Sequence, residues 1–219
     1  MKWQPLSTLA HKIKLPPGYG LAELHRSDIS EITLLLRNWY PDIVVGAESC
    51  HLEPEFYYNH AFFPEDGEDK PILAMSIMDP AKNKVGLITL EKNDAALTLT
   101  SRMGVIAPTQ RGKGLAHLGP STVEVIGRAI GAELLYYFVT LKAPHQQTAA
   151  EKAGFQIVGI VPAFDRDMVA PGQVRRVYEA IYAKPLVDDK SVFYPPTGAL
   201  TQQTQVLWNF LFKNRMEEL

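Results

Sequence analysis

The spacing of apolar residues along the chain predicts alternating strands and helices. Apolar and polar residues alternate through 96–106, which predicts a strand. Apolar residues then recur at helical spacing through 115–130 and indicate an amphipathic helix. The run 133–141 is almost continuously apolar and is typical of a strand buried on both faces. One face of the first strand should carry Leu97, Leu99, Ser101, Met103 and Val105.

The same patterns, with turn and capping residues, complete the predicted order of elements. Further strands are predicted at 19–25, 72–78, 85–91, 155–161 and 175–183. Further helices are predicted at 28–38, 53–63, 145–155 and 200–212. This order predicts a mixed α/β domain, with a central sheet flanked by helices and an extra C-terminal helix. We expect an N-terminal arm at 1–18, the domain at 19–185 and a C-terminal extension at 186–219.

Composition limits the classes of partner. The 219 residues are 46% hydrophobic and 21% charged, with a net charge of −2, so no global charge favours nucleic acid or an anionic membrane. No apolar run reaches the ~18 residues of a membrane span. One cysteine, Cys50, excludes an internal disulfide framework. We therefore expect a cytoplasmic protein that binds neither nucleic acid nor membranes.

The loop TQRGKGLAHLGP, residues 109–120, lies between the predicted strand and helix and has the chemistry of an anion site. Free backbone N–H groups at a helix N-terminus favour phosphate, and two glycines let an anion approach the backbone. The alternative is a basic turn that needs glycine only for its geometry. A Walker A loop is excluded because Lys113 is followed by Gly114 rather than Ser or Thr. A dinucleotide loop is excluded because His117 stands where its third glycine would be.

The loop resembles the signature of the GNAT acyltransferase superfamily. Arg111, Gly114 and Ala116 match the family pattern R/Q-x-x-G-x-G/A. The strand ending MGVIAPTQ, the helix, the buried strand and the later AEKAGF follow in the family's order, so the resemblance extends over roughly 19–183. It implies a GNAT-like fold that binds acetyl-CoA or another acyl-CoA as co-substrate and transfers the acyl group directly to an amine.

The resemblance also implies the positions that bind the acyl-CoA. Backbone amides of the loop would hold the pyrophosphate, and the strand before it would pair with the pantetheine arm and polarise the thioester carbonyl. The implied pyrophosphate positions are Arg111, Gly112, Lys113, Gly114, Leu115 and Ala116. The implied pantetheine positions are Met103, Gly104, Val105 and Ile106. No metal is implied.

Two positions depart from the family pattern. Pro120 falls inside the predicted helix, where proline costs about 3 kcal/mol, so we expect a kink there; the alternative is a helix that begins at Pro120. Many family members carry a tyrosine four residues before the Gly-Phe pair, as the acid that protonates the leaving thiolate. Here that position is Ala150, so the usual acid cannot be carried over.

Other residues must then supply the acid and the base. Histidine is a common general acid or base, and His145 follows the buried strand, although a solvent-facing or capping histidine is the alternative. Glu91 ends a strand beside the loop-bearing strand and could instead be a solvated carboxylate. Tyr136 and Tyr137 lie on opposite faces of one strand, so one at most faces the cleft, and we choose Tyr137. The pair Cys50-His51 lacks metal-ligand spacing and is interpreted as incidental.

We therefore predict an N-acetyltransferase acting on an amine of a small molecule or peptide. The rival interpretation is a non-catalytic acyl-CoA-binding or regulatory module, since the usual tyrosine is missing. In that case the tail helix, with Trp208, Phe210 and Phe212, is a candidate partner surface, and a homodimer is a candidate assembly.

Overall fold

The computed structural model describes residues 1–115 and 118–212 and contains a seven-stranded mixed sheet. The strands are β1 Gly20–Glu23, β2 Ile72–Met78, β3 Lys84–Asn93, β4 Thr98–Ile106, β5 Leu134–Thr140, β6 Gln156–Ala170 and β7 Gln173–Pro185. The α-helices are α1 Leu6–Leu9, α2 Ile29–Trp39, α3 Pro54–His60, α4 Leu118–Ile130, α5 His145–Lys152 and α6 Gln202–Phe212. The predicted α/β class and the extra C-terminal helix are confirmed.

The strand order is β1-β2-β3-β4-β5-β7-β6. The β4–β5 pair is parallel, and every other neighbouring pair in this sheet is antiparallel. A parallel pair needs a crossover connection, which here contains the glycine loop and α4. The loop therefore lies at the end of a central strand, where ligands of open α/β sheets bind.

Two hydrophobic cores lie on opposite faces of the sheet. One face packs against α1, α4 and α5 and buries residues such as Leu6, Leu99 and Leu135. The other packs against α2 and α3 and buries Ile32 and Tyr57. The chain divides into two compact units, Met1–Leu186 and Val187–Leu219, and α6 belongs to the second. The predicted arm at 1–18 contains α1 and contributes to the first core; the division into arm, domain and extension stays a prediction.

A β-bulge in β4 changes which residues share a face. Ser101 lies opposite Leu90 and Met103 opposite Thr89, so Arg102 between them has no partner on β3. The extra residue reverses the alternation that follows. Leu99 belongs to the core under α4, whereas Met103 belongs to the core under α2 and α3. The prediction that 97, 99, 101, 103 and 105 share one face was therefore wrong.

Several predicted boundaries also differ from the structure. The prediction for 53–63 is shortened to α3, Pro54–His60. Strands β6 and β7 extend over 15 and 13 residues, well past their apolar segments, because they pair with each other as a long hairpin. Pro120 is the third residue of α4 as described, where a backbone N–H has no intrahelical partner to lose. The kink expected inside a longer helix is therefore not required.

Candidate active site

The centre of the sheet opens into a gap between β4 and β5. The two strands pair from Thr98–Leu134 as far as Ser101–Tyr137. Beyond this point β4 continues to Ile106 paired with β3, and β5 continues to Thr140 paired with β7. The strands separate directly after Ser101, at the bulged residue Arg102, so the bulge and the start of the gap lie at the same position in β4.

Backbone groups of β4 face this gap. The amide of Ala107 donates to the carbonyl of Val85 at 2.8 Å, so the odd-numbered residues of this stretch bond to β3. Alternate residues of an antiparallel strand direct their peptide groups to opposite sides. Gly104 and Ile106 therefore present their N–H and C=O groups to the gap, as an added extended ligand requires. A Cβ built on Gly104 would meet no heavy atom within 4 Å, so the space beside this residue is open.

Two cavities meet at the gap. The larger, about 380 Å³, runs from Met103 and Gly104 to Tyr137, His145 and Gln146. A second, about 340 Å³, lies against Glu91, Thr100 and Phe164. Both are lined by Glu48, Ser101, Arg102, Phe138, Asp165 and Glu179. The shared wall is thus strongly acidic, with three carboxylates and one guanidinium.

Tyr137 lies where the gap meets α4 and α5. Its hydroxyl donates to Oε1 of Gln146 at 2.7 Å. Burial raises the pKa of Tyr137 to about 12, so the hydroxyl keeps its proton at neutral pH. Gly119 allows this approach, since a Cβ there would lie 3.3 Å from the hydroxyl oxygen. The hydroxyl is therefore a protonated donor beside the gap.

A charged network forms the floor of the cavities. Arg102 contacts Glu48 through Nε at 3.0 Å and Glu91 through Nη1 at 2.6 Å. Nδ1 of the fully buried His51 lies 3.1 Å from Oε2 of Glu48, and Nε2 lies 2.9 Å from Oγ1 of Thr89. Burial lowers the pKa of His51, but its contacts with Cys50 and Glu48 outweigh burial and raise it to about 9. His51 thus holds Glu48 in place.

The other predicted acid and base candidates lie at the edges of the cavities. His145 is exposed at the start of α5 and lines the larger cavity. Glu91 lines the second cavity with its carboxylate bound to Arg102, so its lone pairs are partly committed. The structure thus brings Tyr137 and His145 to one cavity and Glu91 to the neighbouring one. Their catalytic roles stay predictions.

Glu179 is one of the residues of this wall that sequence reasoning missed, with Glu48, Arg102 and Asp165. It lies on β7 opposite Thr140, at the end of β5, and lines both cavities. Burial raises the pKa of Glu179 to about 7, and the charges of Asp165, Glu48 and Asp167 act in the same direction. The sequence does single out Glu179, because it is the one charged residue in the otherwise uncharged segment VYEAIYA, 177–183.

The glycine loop is exposed and in a left-handed conformation. Gly112 and Gly114 both have φ of +80°, which L side chains rarely adopt. The guanidinium of Arg111 lies 4.8 Å from the ring centroid of Tyr40, and Lys113 donates to Gln110 at 2.8 Å. Both cations are thus held beside the loop. Leu115 is buried in the core, and a crevice lined by Leu115, Gly104 and Tyr137 joins this region to the gap.

Ala116, implied to bind pyrophosphate, and His117 lie outside the described residues. Ala150, which stands at the usual tyrosine position, is fully buried in the core and offers no group to the gap.

In the described ranges, no group of three or more His, Cys, Asp or Glu side chains is placed to hold a metal ion. Across the described part of the chain, no helix combines the length and apolarity needed to cross a membrane.

Comparisons with known proteins agree with this geometry at the level of fold. No model of a known protein family and no curated protein matches the sequence. Among solved structures, spermidine N-acetyltransferase from Vibrio cholerae in complex with CoA and spermine matches with a TM-score of 0.60 at 20% identity, over 78% of this chain and 96% of that chain. A dodecameric structure of spermidine N-acetyltransferase from the same organism matches with a TM-score of 0.54 at 22% identity, over 81% and 100% of the two chains.

Both matches include almost the whole length of the neighbour and about four-fifths of this chain. The resemblance read from the glycine loop is therefore confirmed as a resemblance of fold: the chain has the GNAT fold of the spermidine N-acetyltransferases.

Proposed function

We propose that this protein is an acyl-CoA-dependent N-acyltransferase that uses acetyl-CoA and a small, positively charged amine. The observation that carries the proposal is the gap between β4 and β5, which presents free peptide groups of Gly104 and Ile106 beside an acidic cavity. The structural neighbour with CoA and spermine supports both halves of the proposal.

The gap and the loop fit the two ends of an acyl-CoA. The pantetheine arm is extended and carries amide groups, so it can pair with the free edge of Met103–Ile106 as an added strand. The pyrophosphate would bind at Arg111–Gly114, with Leu115 and Ala116, because the backbone N–H groups of glycines can donate hydrogen bonds to an anion at close range. When bound there, the acyl-CoA supplies an activated thioester carbonyl.

The acceptor side of the cavity favours a cation. Glu48, Asp165 and Glu179 line both cavities, and Asp42 and Asp167 add carboxylates to the larger one. Partly desolvated carboxylates attract ammonium groups more strongly than water-exposed ones do. A polyamine, with several ammonium groups, matches two adjoining acidic cavities better than a monoamine does, and the neighbours' substrates are of this kind.

The proposed reaction forms a C–N bond and breaks the C–S bond of the thioester. A primary ammonium nitrogen gives up two of its three protons; the thiolate takes one and the solvent receives the other. Tyr137 is the proposed donor to the thiolate, because its hydroxyl is protonated and lies beside the gap. His145 and Glu91 are candidate proton acceptors, as predicted, although Glu91 is bound to Arg102.

Release of CoA thiol tests the proposal. Purified protein is mixed with acetyl-CoA and either spermidine, spermine, a monoamine or a peptide, and free thiol is followed with a thiol-reactive dye. We expect amine-dependent release, highest with a polyamine. Hydrolysis without amine is the background control, and no amine-dependent release with any acceptor would contradict the proposal.

A second candidate function follows from Ala150, which leaves the usual acid position filled by a buried methyl group. A non-catalytic acyl-CoA-binding module would bind acetyl-CoA and release no thiol. Measuring both acetyl-CoA binding and thiol release distinguishes the two candidate functions.

A homodimer or larger assembly, suggested by the dodecameric neighbour, is tested by the mass of the purified protein. A cytoplasmic location stays a prediction.

A further inference from the structure

Glu179 is one of three carboxylates, with Glu48 and Asp165, that line both cavities. It lies on β7 opposite Thr140, beyond Ser101–Tyr137, the last pair that joins β4 to β5. Its side chain lines the wall between the two cavities. Glu179 therefore lies on the wall of the same cavity that reaches Met103 and Gly104 of β4.

The neighbouring carboxylates are already committed to partners. Glu48 and Glu91 bind Arg102, Asp167 binds Lys142 at 2.5 Å, and Asp165 accepts from the amides of Ala47 and Arg166. The carboxylate of Glu179 accepts no hydrogen bond and forms no ion pair within the described ranges, and the same holds for the carboxylate of Asp42 at the exposed rim. The lone pairs of Glu179 are thus free for a ligand.

The surroundings of Glu179 keep its carboxylate basic. Burial raises its pKa to about 7, whereas a solvated glutamate near 4.5 would be too weak a base at neutral pH. The charged and titratable groups that line the cavities with it are Asp42, Glu48, Glu91, Arg102, Lys142, His145, Asp165, Arg166 and Asp167. Arg102 and Lys142 are paired with carboxylates, and the charges that act on Glu179, those of Asp165, Glu48 and Asp167, all raise its pKa.

We propose that Glu179 is the catalytic residue that takes the proton from the acceptor ammonium group. The inference rests on the proposed function and names the base that function needs. An ammonium nitrogen loses two protons as it becomes an amide. The first passes to Glu179, which frees the lone pair that forms the C–N bond. The second leaves as the C–S bond breaks, the thiolate gains one proton, and one proton per turnover reaches the solvent.

The test is the pH dependence of kcat/KM for spermidine, measured on the full-length protein with saturating acetyl-CoA, because kcat/KM reports the pKa of the base before the ammonium group binds. In the wild type we expect kcat/KM to fall as the pH drops below about 7, with the slope of one proton. In Glu179→Gln, which keeps the shape of the side chain, we expect kcat at neutral pH to fall by roughly 10²-fold and the acidic limb to disappear. The affinity for acetyl-CoA should stay within about twofold of the wild type.

Asp167→Asn is the matched control, because it removes a neighbouring carboxylate that is already paired with Lys142. It should raise KM for spermidine and keep an acidic limb, displaced to lower pH because the charge of Asp167 helps to raise the pKa of Glu179. Melting temperature and acetyl-CoA binding establish that each variant is folded.

A Glu179→Gln enzyme that keeps kcat within about fivefold together with its acidic limb would overturn the role of Glu179 while the proposed function stands. A variant that raises KM alone would also overturn it, because the carboxylate would then attract the substrate without moving a proton. A wild-type protein that releases no thiol with any amine would contradict the proposed function itself, and this inference with it.

Discussion

The hydroxyl of Tyr137 donates a hydrogen bond to Oε1 of Gln146 at 2.7 Å and thereby joins β5 to α5 beside the gap. The family pattern expects an acid from the helix, at the position of Ala150, and that residue is buried in the core. The structure instead offers a tyrosine from the adjoining strand at the same gap. Tyr137 lines both the large cavity and the crevice toward the glycine loop.

Tyr137→Phe should lower kcat by about 10²-fold, since the thiolate would lose its proton donor. Stability should fall by only about 1 kcal/mol, the value of one hydrogen bond. Tyr182→Phe is the matched control: Tyr182 is also buried, also has its pKa raised to about 12, and donates to Glu151 at 2.9 Å on the same core face. Thiol-release kinetics measure the difference. Equal losses of kcat in the two variants would contradict the assignment.

Gly104→Val should block the gap without weakening the fold. Gly104 lies in β4 with open space beside it and no left-handed φ, and valine favours strands. We expect the Kd for acetyl-CoA to rise at least ~10-fold, about 1.4 kcal/mol, as measured by calorimetry. Gly20→Val is the control, because Gly20 is a strand glycine with the same open surroundings at the far edge of the sheet. Undiminished binding in the Gly104 variant would exclude this strand edge as the pantetheine site.

Gly114→Val should weaken acetyl-CoA binding through the loop. At φ of +80° a branched side chain costs about 1–2 kcal/mol of strain and crowds the approach of a phosphate. Gly67→Val is the control, because Gly67 has φ of +68° and an added Cβ there also meets nothing within 4 Å. Gly67 lies in the loop 64–69, distant in sequence from the glycine loop. Both variants should lose similar stability in urea, and only Gly114→Val should lose affinity. Equal affinities would show that the loop is a structural turn.

Glu179 should make stability depend on pH. Its pKa is raised from 4.5 to about 7 on folding, so the folded protein binds the extra proton. The stabilising contribution is complete below the unfolded value and is lost as the pH rises through about 7. Glu179→Gln should therefore be more stable than the wild type at about pH 8, by about 1 kcal/mol once solvent screening of a partly exposed group is allowed for. The gain should shrink toward zero at about pH 5 in urea unfolding, and a gain independent of pH would contradict this account.

The order of elements could be predicted from the sequence because most of it depends on local patterns. The apolar stripe of α4, the continuous apolar run of β5 and the turn glycines are each visible within about ten residues. The GNAT fold followed from the loop Arg111–Ala116 in its strand–helix context. The boundaries that failed, at β6 and β7, depend on pairing with each other, and their outer halves carry no apolar signal.

The site could be predicted only in part, because its acidic wall is assembled from distant segments. The cavity wall combines Glu48 from the 3₁₀ helix Ala47–Leu52, Arg102 from the bulge in β4 and Glu179 from β7. The alternation in β4 concealed the bulge, since the residues on both sides of it are buried and only the face changes. Arg102 stands out in the sequence as the one charged residue in 96–106, but the sequence does not show that it pairs with Glu48 and Glu91.

Calorimetric titration of the purified protein with acetyl-CoA measures whether the gap between β4 and β5 binds an acyl-CoA. Free CoA and ATP are the controls, since ATP shares the adenine and the phosphates without the pantetheine arm. We expect acetyl-CoA to bind with a Kd on the order of micromolar and ATP to bind far more weakly. Binding of neither ligand, or equal binding of ATP, would exclude the gap as an acyl-CoA site.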